Sequence, residues 1–493
     1  MGLLLLVLDA GSGGAKSFIV NEEGSIITSA LEEWNRDDWC IQTGWASVRK
    51  SIKSVLSRKG IESKNIKGIA TTSMREEFVI LDAEGKEVNY TVKQDTSSHG
   101  EKFIETYGLK LYKESGHWPI PGWIAAAKLK LLKDKRPDVM ERMKKLLMLS
   151  DWVAYSLGAD PYSEGSSACE TSLFDIVKMD WAWNTINELD FPADIFPPIK
   201  RSSDYAGSVS DQAAGETGLT AGTPIFVGGA DTQCGLLGSG AINDGDVVAV
   251  CGTTTPVQMV TSKPVLDPQY RTWTNNHVLP GSWILESNAG RTGIVFRWLR
   301  ETLMAGNGEG VYEEMDRLAE ISPPGAYGLQ AFLGPHVFNA GPPYWKGDKL
   351  GNLDVPPTIL GSANFTVGEL ARAIIEANCY AVKANLNQLI QITGIAPEKI
   401  GMCGGGSRSR LWSEIQAEVV GLPVSIPKER DATANGAAAC AAVGAGIFQD
   451  LRGAVKSMVS LEETVTPDAN KSRKYQELYQ KWMSTRERLG GTF

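Results

Sequence analysis

Histidine is scarce in this chain: His99, His117, His277 and His336 are the only four in 493 residues. None stands in an H-E-x-x-H or similar spacing, so no metal-hydrolase constellation is expected. The seven cysteines (Cys40, Cys169, Cys234, Cys251, Cys379, Cys403 and Cys440) are widely spread and contain no C-x-x-C pair. That excludes a zinc ribbon or a disulfide framework and reads as reduced thiols in a cytoplasmic protein. Long basic runs are absent and the net charge is −9, which argues against nucleic acid as the main partner. No apolar window reaches the length of a membrane span. Leu3 to Leu8 stops at Asp9 without a basic stretch before it, so no signal peptide is expected. What is present, 42% hydrophobic and 22% charged residues, is the balance of an ordinary globular protein. The length exceeds one core, and two large domains are expected.

A P-loop is also missing. That motif needs G-x-x-x-x-G-K-[ST] between a strand and a helix. In this register the chain carries Ala10, Ala15, Lys16 and Ser17, so both glycines are alanines. In its place stands LLLLVLDAGSGGAKSFIV, residues 3–20. Leu3 to Leu8 reads as a buried strand, and Asp9 closes it with a charge at the sheet rim. Gly11, Ser12, Gly13 and Gly14 form a turn in which three of four residues lack a Cβ, so backbone amides can approach a ligand. Lys16 adds a cation, and N–H groups converging on a concavity bind anions. Residues 17–20, 21–24 and 25–27 continue as strand, turn and strand. A strand–Asp–Gly turn–strand hairpin is the phosphate loop of actin/hexokinase-type ATPases. Taken alone, it reads equally as an ordinary Gly-rich hairpin.

Further along, Trp45 to Gly60 reads as a helix stopped by glycine. Ile66 to Thr72 is a strand that runs into Ser73-Met74-Arg75-Glu76-Glu77, and Phe78 to Leu81 is another. Arg75 and Glu76 follow a strand end, where they could grip hydroxyls by charge-assisted hydrogen bonds or form a surface ion pair. A helix is expected near 101–107, and Trp118 and Trp123 sit in an aromatic, Pro-rich loop that fits either a polyol pocket or the core. Leu147 to Trp152 leads into a helix capped by Ser150 or Asp151. GTPIFVGGADTQ (222–233) is a second buried strand ending in glycines and an acid. Its glycines would let substrate approach the backbone, and Asp231 would take a proton from an attacking hydroxyl. GSGAINDGD (238–246) is the expected domain boundary. After it, 247–251, GTTT (252–255) and 257–260 form a second strand–turn–strand hairpin, which suggests an internal duplication. Phe296-Arg297-Trp298-Leu299 belongs to a helix with Arg297 on its inner side. Residues 326–344 read as irregular. Thr366 and Glu369 make a capping box before a long helix stopped at Gly394. Gly404-Gly405-Gly406-Ser407 joins a strand to a helix and would admit a flat ligand such as adenosine. Residues 432–447 form a small-residue helix suited to tight packing.

Five motifs in this order, DAGSGGAK (9–16), SMREE (73–77), GGADTQ (228–233), GTTT (252–255) and GGGS (404–407), resemble those of the FGGY carbohydrate kinases over residues 3–450. SDWVAYSLG (150–158), NNHVLPG (275–281) and GGGSRSRLWSEIQAEVVGLPVSIP (404–427) look most like the autoinducer-2 kinases, then pentulose kinases such as xylulose kinase. The resemblance implies an α/β fold of two actin-like (ribonuclease H-like) domains around a cleft, at 1–240 and 247–450, with a helical tail at 451–493. It implies ATP-dependent phosphorylation of a hydroxyl of a small open-chain sugar or polyol. Asp231 would be the catalytic base. Arg75, Glu76, Trp123, Asp231 and Thr232 would bind substrate. Ser12, Gly13, Gly14, Lys16, Gly252, Thr253, Gly293, Arg297, Gly405, Gly406 and Arg410 would bind ATP. Asp9 would hold Mg²⁺, directly or through water. The resemblance admits a homodimer. Gly13, Gly14 and Lys16 stand where relatives often carry hydroxyl residues and Arg. Leu131 replaces a usual Trp near Lys128, and Gln94-Asp95 lacks the Trp that often precedes this acid. A pentulose or polyol kinase, a non-catalytic sugar or nucleotide sensor, and a chaperone-like ATPase of the actin superfamily are the alternatives.

Overall fold

The computed structural model describes residues 2–34, 41–88, 96–120, 124–304, 310–334, 336–342, 355 and 357–490. Two sheets organise them. The first contains β1 (Leu4–Gly11), β2 (Gly14–Asn21), β3 (Ile26–Glu33), β4 (Ile66–Ser73), β5 (Tyr205–Ser208) and β6 (Pro224–Ala230), in spatial order β5-β6-β4-β1-β2-β3. The second contains β7 (Val247–Val250), β8 (Pro256–Thr261), β9 (Trp273–Asn276), β10 (Trp283–Asn288), β11 (Ile400–Cys403), β12 (Val424–Pro427) and β13 (Leu461–Val465), in order β9-β10-β8-β7-β11-β12-β13. The row β3-β2-β1-β4-β6-β5 therefore matches β10-β8-β7-β11-β12-β13. In both rows the pairings run antiparallel, antiparallel, parallel, parallel, antiparallel. The duplication suggested by two hairpins thus extends across each sheet, with β9 added at one edge.

Ten helices position the site: α1 (Ile41–Leu56), α2 (Thr96–Ser115), α3 (Ala125–Lys135), α4 (Leu149–Leu157), α5 (Asp231–Gly238), α6 (Thr292–Leu303), α7 (Val367–Thr393), α8 (Arg410–Val420), α9 (Ala432–Gly444) and α10 (Ala469–Gly490). They explain the unbroken apolar run of β1. Leu4, Leu6 and Leu8 pack with Val48 and Ile52 of α1 and Trp152 of α4, while Leu5 and Val7 pack on the alanines of α9. A strand covered on both faces has no polar side to alternate with. The α7 capping box is present: Glu369 N–H donates to Thr366 Oγ1 (3.2 Å) and Thr366 N–H donates to Glu369 Oε2 (2.9 Å). Gly394 ends that helix with φ +71°, a left-handed geometry that glycine adopts without steric cost.

α5 and α9 cross in backbone contact. A Cβ on Gly238 would lie 1.9 Å from the Ala432 carbonyl oxygen, and one on Gly436 1.9 Å from that of Cys234. The small residues of α9 therefore serve packing, and they do so against the first sheet although α9 follows the second-sheet strand β12.

Several boundaries differ from the sequence reading. α1 begins at Ile41 and ends at Leu56, ahead of Gly60. α4 begins at Leu149, so Ser150 and Asp151 lie buried inside its first turn and neither caps it; strand β-pairing of Lys145–Met148 with Phe78–Leu81 carries the chain straight into the helix. The segment after 450 is not helical throughout, since β13 pairs with β12.

Candidate active site

Three neighbouring strands of the first sheet end at one place. β1 delivers Asp9, β4 delivers Arg75 and Glu76 just beyond its end, and β6 delivers Asp231 as the first residue of α5. The register aligns Thr72 of β4 with both Asp9 and Gly229. The site thus lies at the carboxyl ends of parallel strands, where open α/β sheets place their ligands. Burial is the largest influence on both acids. It lifts Asp9 to about 6, with Lys16 opposing and Asp431 adding to the rise. It lifts Asp231 to about 7, with Arg75 opposing and Asp9 and Glu76 adding to it. Gly228 and Gly229 have a different purpose from the one the sequence suggested. A Cβ on Gly228 would lie 2.1 Å from the Thr71 carbonyl oxygen and one on Gly229 2.3 Å from Val278 Cγ1, so packing against protein demands them. Ala230 N–H donates to Ser166 Oγ (3.0 Å), which donates to Glu164 (2.5 Å). This buried pair fixes the strand end from which Asp231 projects.

Arg75 is 7% exposed and engages two carboxylates. Its Nη1 donates to Glu170 (3.0 Å) and to Glu286 Oε2 (2.7 Å), and its Nη2 donates to Glu286 Oε1 (3.0 Å). It is neither a surface ion pair with Glu76 nor a free grip for hydroxyls. Glu76 is half-buried beside it, and Lys128 Nζ holds that loop by donating to the Glu76 carbonyl (3.0 Å). Burial pushes Glu170 up to about 8 against the pull of Arg75. Burial acts on Glu286 in the same upward sense, but Arg75 and Gln258 outweigh it and hold the carboxyl below its ordinary value. Thr232 Oγ1 donates to Gln233 Oε1 (2.7 Å) and lies 3.4 Å from Gln258 Nε2. His117 stacks on Trp273 and hydrogen-bonds Asn275. Trp118 is buried against Tyr112 and Tyr270, and Trp123 lies outside the described residues. Glu170, Gln258 and Glu286 escaped sequence reasoning. The signal available was one long polar side chain in each of the apolar strands PVQMVT and WILESN.

Two turns carry the residues expected to meet phosphate. Gly11 pairs with Gly14 across β1–β2, which leaves Ser12 and Gly13 exposed at the tip. Lys16, opposite Asp9 in the same ladder, is 3.6 Å from Asp431, which also pairs with Arg408 (3.2 Å). In the second half, Gly252 and Thr253 are exposed on the β7–β8 turn. A Cβ on Gly293 would lie 2.0 Å from the Gly252 carbonyl oxygen, and Ile294 N–H donates to Thr253 O (3.2 Å). Gly406 N–H donates to Cys251 O (3.1 Å), and Gly404 has φ +82°. Gly252, Thr253, Gly293, Gly405 and Gly406 are therefore brought together around Cys251. Two predicted residues are not. Arg297 lies on the exposed side of α6, while Phe296 and Leu299 face inward, because the helix period places the apolar pair on the core side. Arg410 is exposed and pairs with Glu414 of its own helix (2.8 Å).

Residues 4–238 match the N-terminal domain of the FGGY family of carbohydrate kinases, and residues 247–445 match its C-terminal domain. The autoinducer-2 kinase of Escherichia coli strain K12 is 30% identical, with 99% of this chain and 94% of that protein aligned. The chain belongs to the FGGY family. It is a carbohydrate kinase, which phosphorylates a small sugar or polyol with ATP. The autoinducer-2 kinase of Photorhabdus laumondii is 29% identical over 98% of this chain and 94% of its own. Among solved structures, xylulose kinase from Rhodospirillum rubrum shares the fold with a TM-score of 0.82 at 24% identity, covering 99% of both chains. Glycerol kinase from Plasmodium falciparum with ADP has a TM-score of 0.79 at 17% identity, again over 99% of both. This kinase also has a site whose chemistry suits a hard cation. Asp9 Oδ1 is buried without a hydrogen-bond partner among the described residues, and carboxylate oxygen is the donor Mg²⁺ prefers. No described helix is long and apolar enough to cross a membrane.

Proposed function

We propose that this kinase phosphorylates an open-chain, hydroxyl-rich acceptor of the autoinducer-2 type, with Asp231 as the base and ATP·Mg²⁺ as the donor. Pentuloses are the second acceptor class. The observation that carries the reading is the placement of Asp9 and Asp231 at the same end of the sheet, on strands that flank β4, close enough for the charge of Asp9 to raise Asp231. Asp231 near 7 is poised to accept a proton at neutral pH. Thr232 and Gln258 line the acceptor side beside it, and Arg75 presents a guanidinium whose orientation is fixed by Glu286 and Glu170. The Ser12–Gly13 tip, with Gly14 and Lys16, faces the donor phosphates from the first half. Gly252 and Thr253 face them from the second. Gly293, Gly405 and Gly406 would take the nucleoside. Phosphoryl transfer depends chiefly on such positioning and on neutralising charge. Mg²⁺, when bound, supplies part of that neutralisation, and Asp9 is the residue that would hold it. The chain segments 1–240 and 247–450 are the two bodies that would close on the cleft and exclude water. Cytoplasmic residence fits the six described cysteines, which are buried thiols without a disulfide.

The test is ADP release by the purified protein across autoinducer-2, D-xylulose, D-ribulose, gluconate and glycerol. Acceptor-dependent release with autoinducer-2 giving the highest kcat/KM is the expected result. Equal release with and without every acceptor would replace the reading with an acceptor-independent ATPase, and no release would leave a sensor.

A further inference from the structure

We infer that Glu286 is a specificity-determining residue of the acceptor site, holding Arg75 across the boundary between the two halves so that acceptor recognition is complete only when both are together. This rests on the kinase reading above and deepens it.

Arg75 follows β4 of the first sheet, whereas Glu286 is in β10 of the second, 211 residues away. Their fork-to-fork contact is bidentate, the strongest and most directional form of this pairing. Glu286 is 0% exposed and Arg75 7%. Separating the halves would part this bidentate pair and leave buried Glu286 without its cation, a costly arrangement. The contact is therefore a fastening between the bodies as well as a local ion pair.

It also reaches the reacting centre. Gln258 of β8 stands directly opposite Glu286 in the antiparallel ladder. Its Nε2 donates to Glu286 Oε2 (2.6 Å) and reaches Thr232 Oγ1 at 3.4 Å, next to Asp231. A carboxylate only accepts, so the amide edge facing Glu286 is the NH₂ edge and its Oε1 points away. That Oε1 is buried without a donor among the described residues. Glu286 thus fixes two groups at once: the Arg75 guanidinium and the Gln258 amide, whose Nε2 edge meets Thr232 beside Asp231. Each lies on a different half of the protein.

The experiment compares wild type, Glu286→Gln and the double variant Arg75→Gln/Glu286→Gln. The double variant removes both members of the bidentate pair if the single one folds poorly. ADP affinity by calorimetry reports folding and the nucleotide side. Steady-state ADP release reports acceptor KM and the ranking of autoinducer-2, D-xylulose, D-ribulose, gluconate and glycerol. The expected result is an acceptor KM raised ~10-fold or more, the size of one charge-assisted hydrogen bond lost, and a flattened ranking, with ADP affinity within about twofold of wild type by the same reasoning. An unchanged KM and ranking in a variant that still binds ADP would overturn the inference. Amide exchange of the wild type with ADP and its best acceptor needs no variant. Protection of both 75–77 and 283–288 supports the inference, and protection of 75–77 alone overturns it. If the wild type turns over no acceptor, the kinase reading has failed and not this assignment within it.

Discussion

Asp9 lies near the turn-ward end of β1, Asp231 follows β6, and Thr72 of β4 is in register with Asp9 on one side and with Gly229 on the other. The charge of Asp9 is among the causes that lift Asp231 to about 7. In the proposed mechanism the two acids must stay close, so the charge of Asp9 opposes the ionisation of Asp231.

A pH profile should show this. Asp231 works as a base only when ionised, so kcat/KM for the acceptor should fall as pH drops below about 7, by ~10-fold per unit once the proton is bound. A plateau extending down to pH 5 would mean that Asp231 is not the group being titrated.

Asp231→Asn keeps the size and loses the base. Turnover should drop by ~10²–10⁴, while ADP affinity, assigned in the proposal to the Gly252 and Gly293 side, should stay near wild type. Calorimetry alongside the ADP-release assay separates the two, and near-normal turnover would remove Asp231 from the role.

Gly293 and Gly13 make a matched pair. A Cβ at Gly293 would sit 2.0 Å from the Gly252 carbonyl oxygen, a backbone atom that cannot move aside, whereas one at Gly13 meets nothing within 4 Å. Gly293→Ala should weaken ADP binding ~10-fold or more and lower stability by ~1–3 kcal/mol, the usual cost of overpacking. Gly13→Ala should leave the melting temperature unchanged. The two variants measured side by side by calorimetry and thermal unfolding decide whether the β7–β8 turn is held by that contact.

Much of this was legible in the chain. Leu3 to Leu8 announced a buried strand because nothing polar interrupts it, and Thr366 with Glu369 announced a helix start because the box is local. Both acids were readable, since each closes an apolar run beside glycines. The partners of Arg75 were not. Glu170 and Glu286 come from segments 95 and 211 residues away, and no local pattern encodes a long-range contact. Arg297 was misjudged because a basic residue in a helix carries no sign of its face until its apolar neighbours Phe296 and Leu299 are assigned to the core. Gly228 and Gly229 were legible as glycines, but their cause was not: the atoms they avoid, Thr71 O and Val278 Cγ1, lie elsewhere in the chain.

The α5–α9 crossing offers a stability test away from the chemistry. Gly436→Ala would place a Cβ 1.9 Å from the Cys234 carbonyl oxygen and 3.0 Å from Gly238 N. Both helices must separate to admit it, so unfolding free energy should fall by ~1–3 kcal/mol, read from denaturant midpoints. Because α5 begins at Asp231, kcat should fall too, with ADP affinity less affected. An unchanged midpoint would show that the helices adjust without strain.

Glu170 gives a stability prediction with a definite sign. Its folded carboxyl is raised from 4.5 to about 8, chiefly by burial. Between those values the folded protein keeps a proton that the unfolded chain releases, so this contribution is complete below 4.5 and is lost as pH rises to about 8. Asp9 and Asp231, raised to about 6 and 7, act in the same direction over a lower window. Glu286, held low by Arg75 once burial is overcome, acts oppositely, and only toward acid. The melting temperature should therefore decline from pH 6 to 8.5. Glu170→Gln, which is neutral throughout and can still accept from Arg75 Nη1, should flatten the upper part of that decline, above the range where Asp231 titrates. Thermal unfolding at half-unit pH steps makes the comparison, and parallel curves for the two proteins would mean that Glu170 is ionised in the folded state across the whole range.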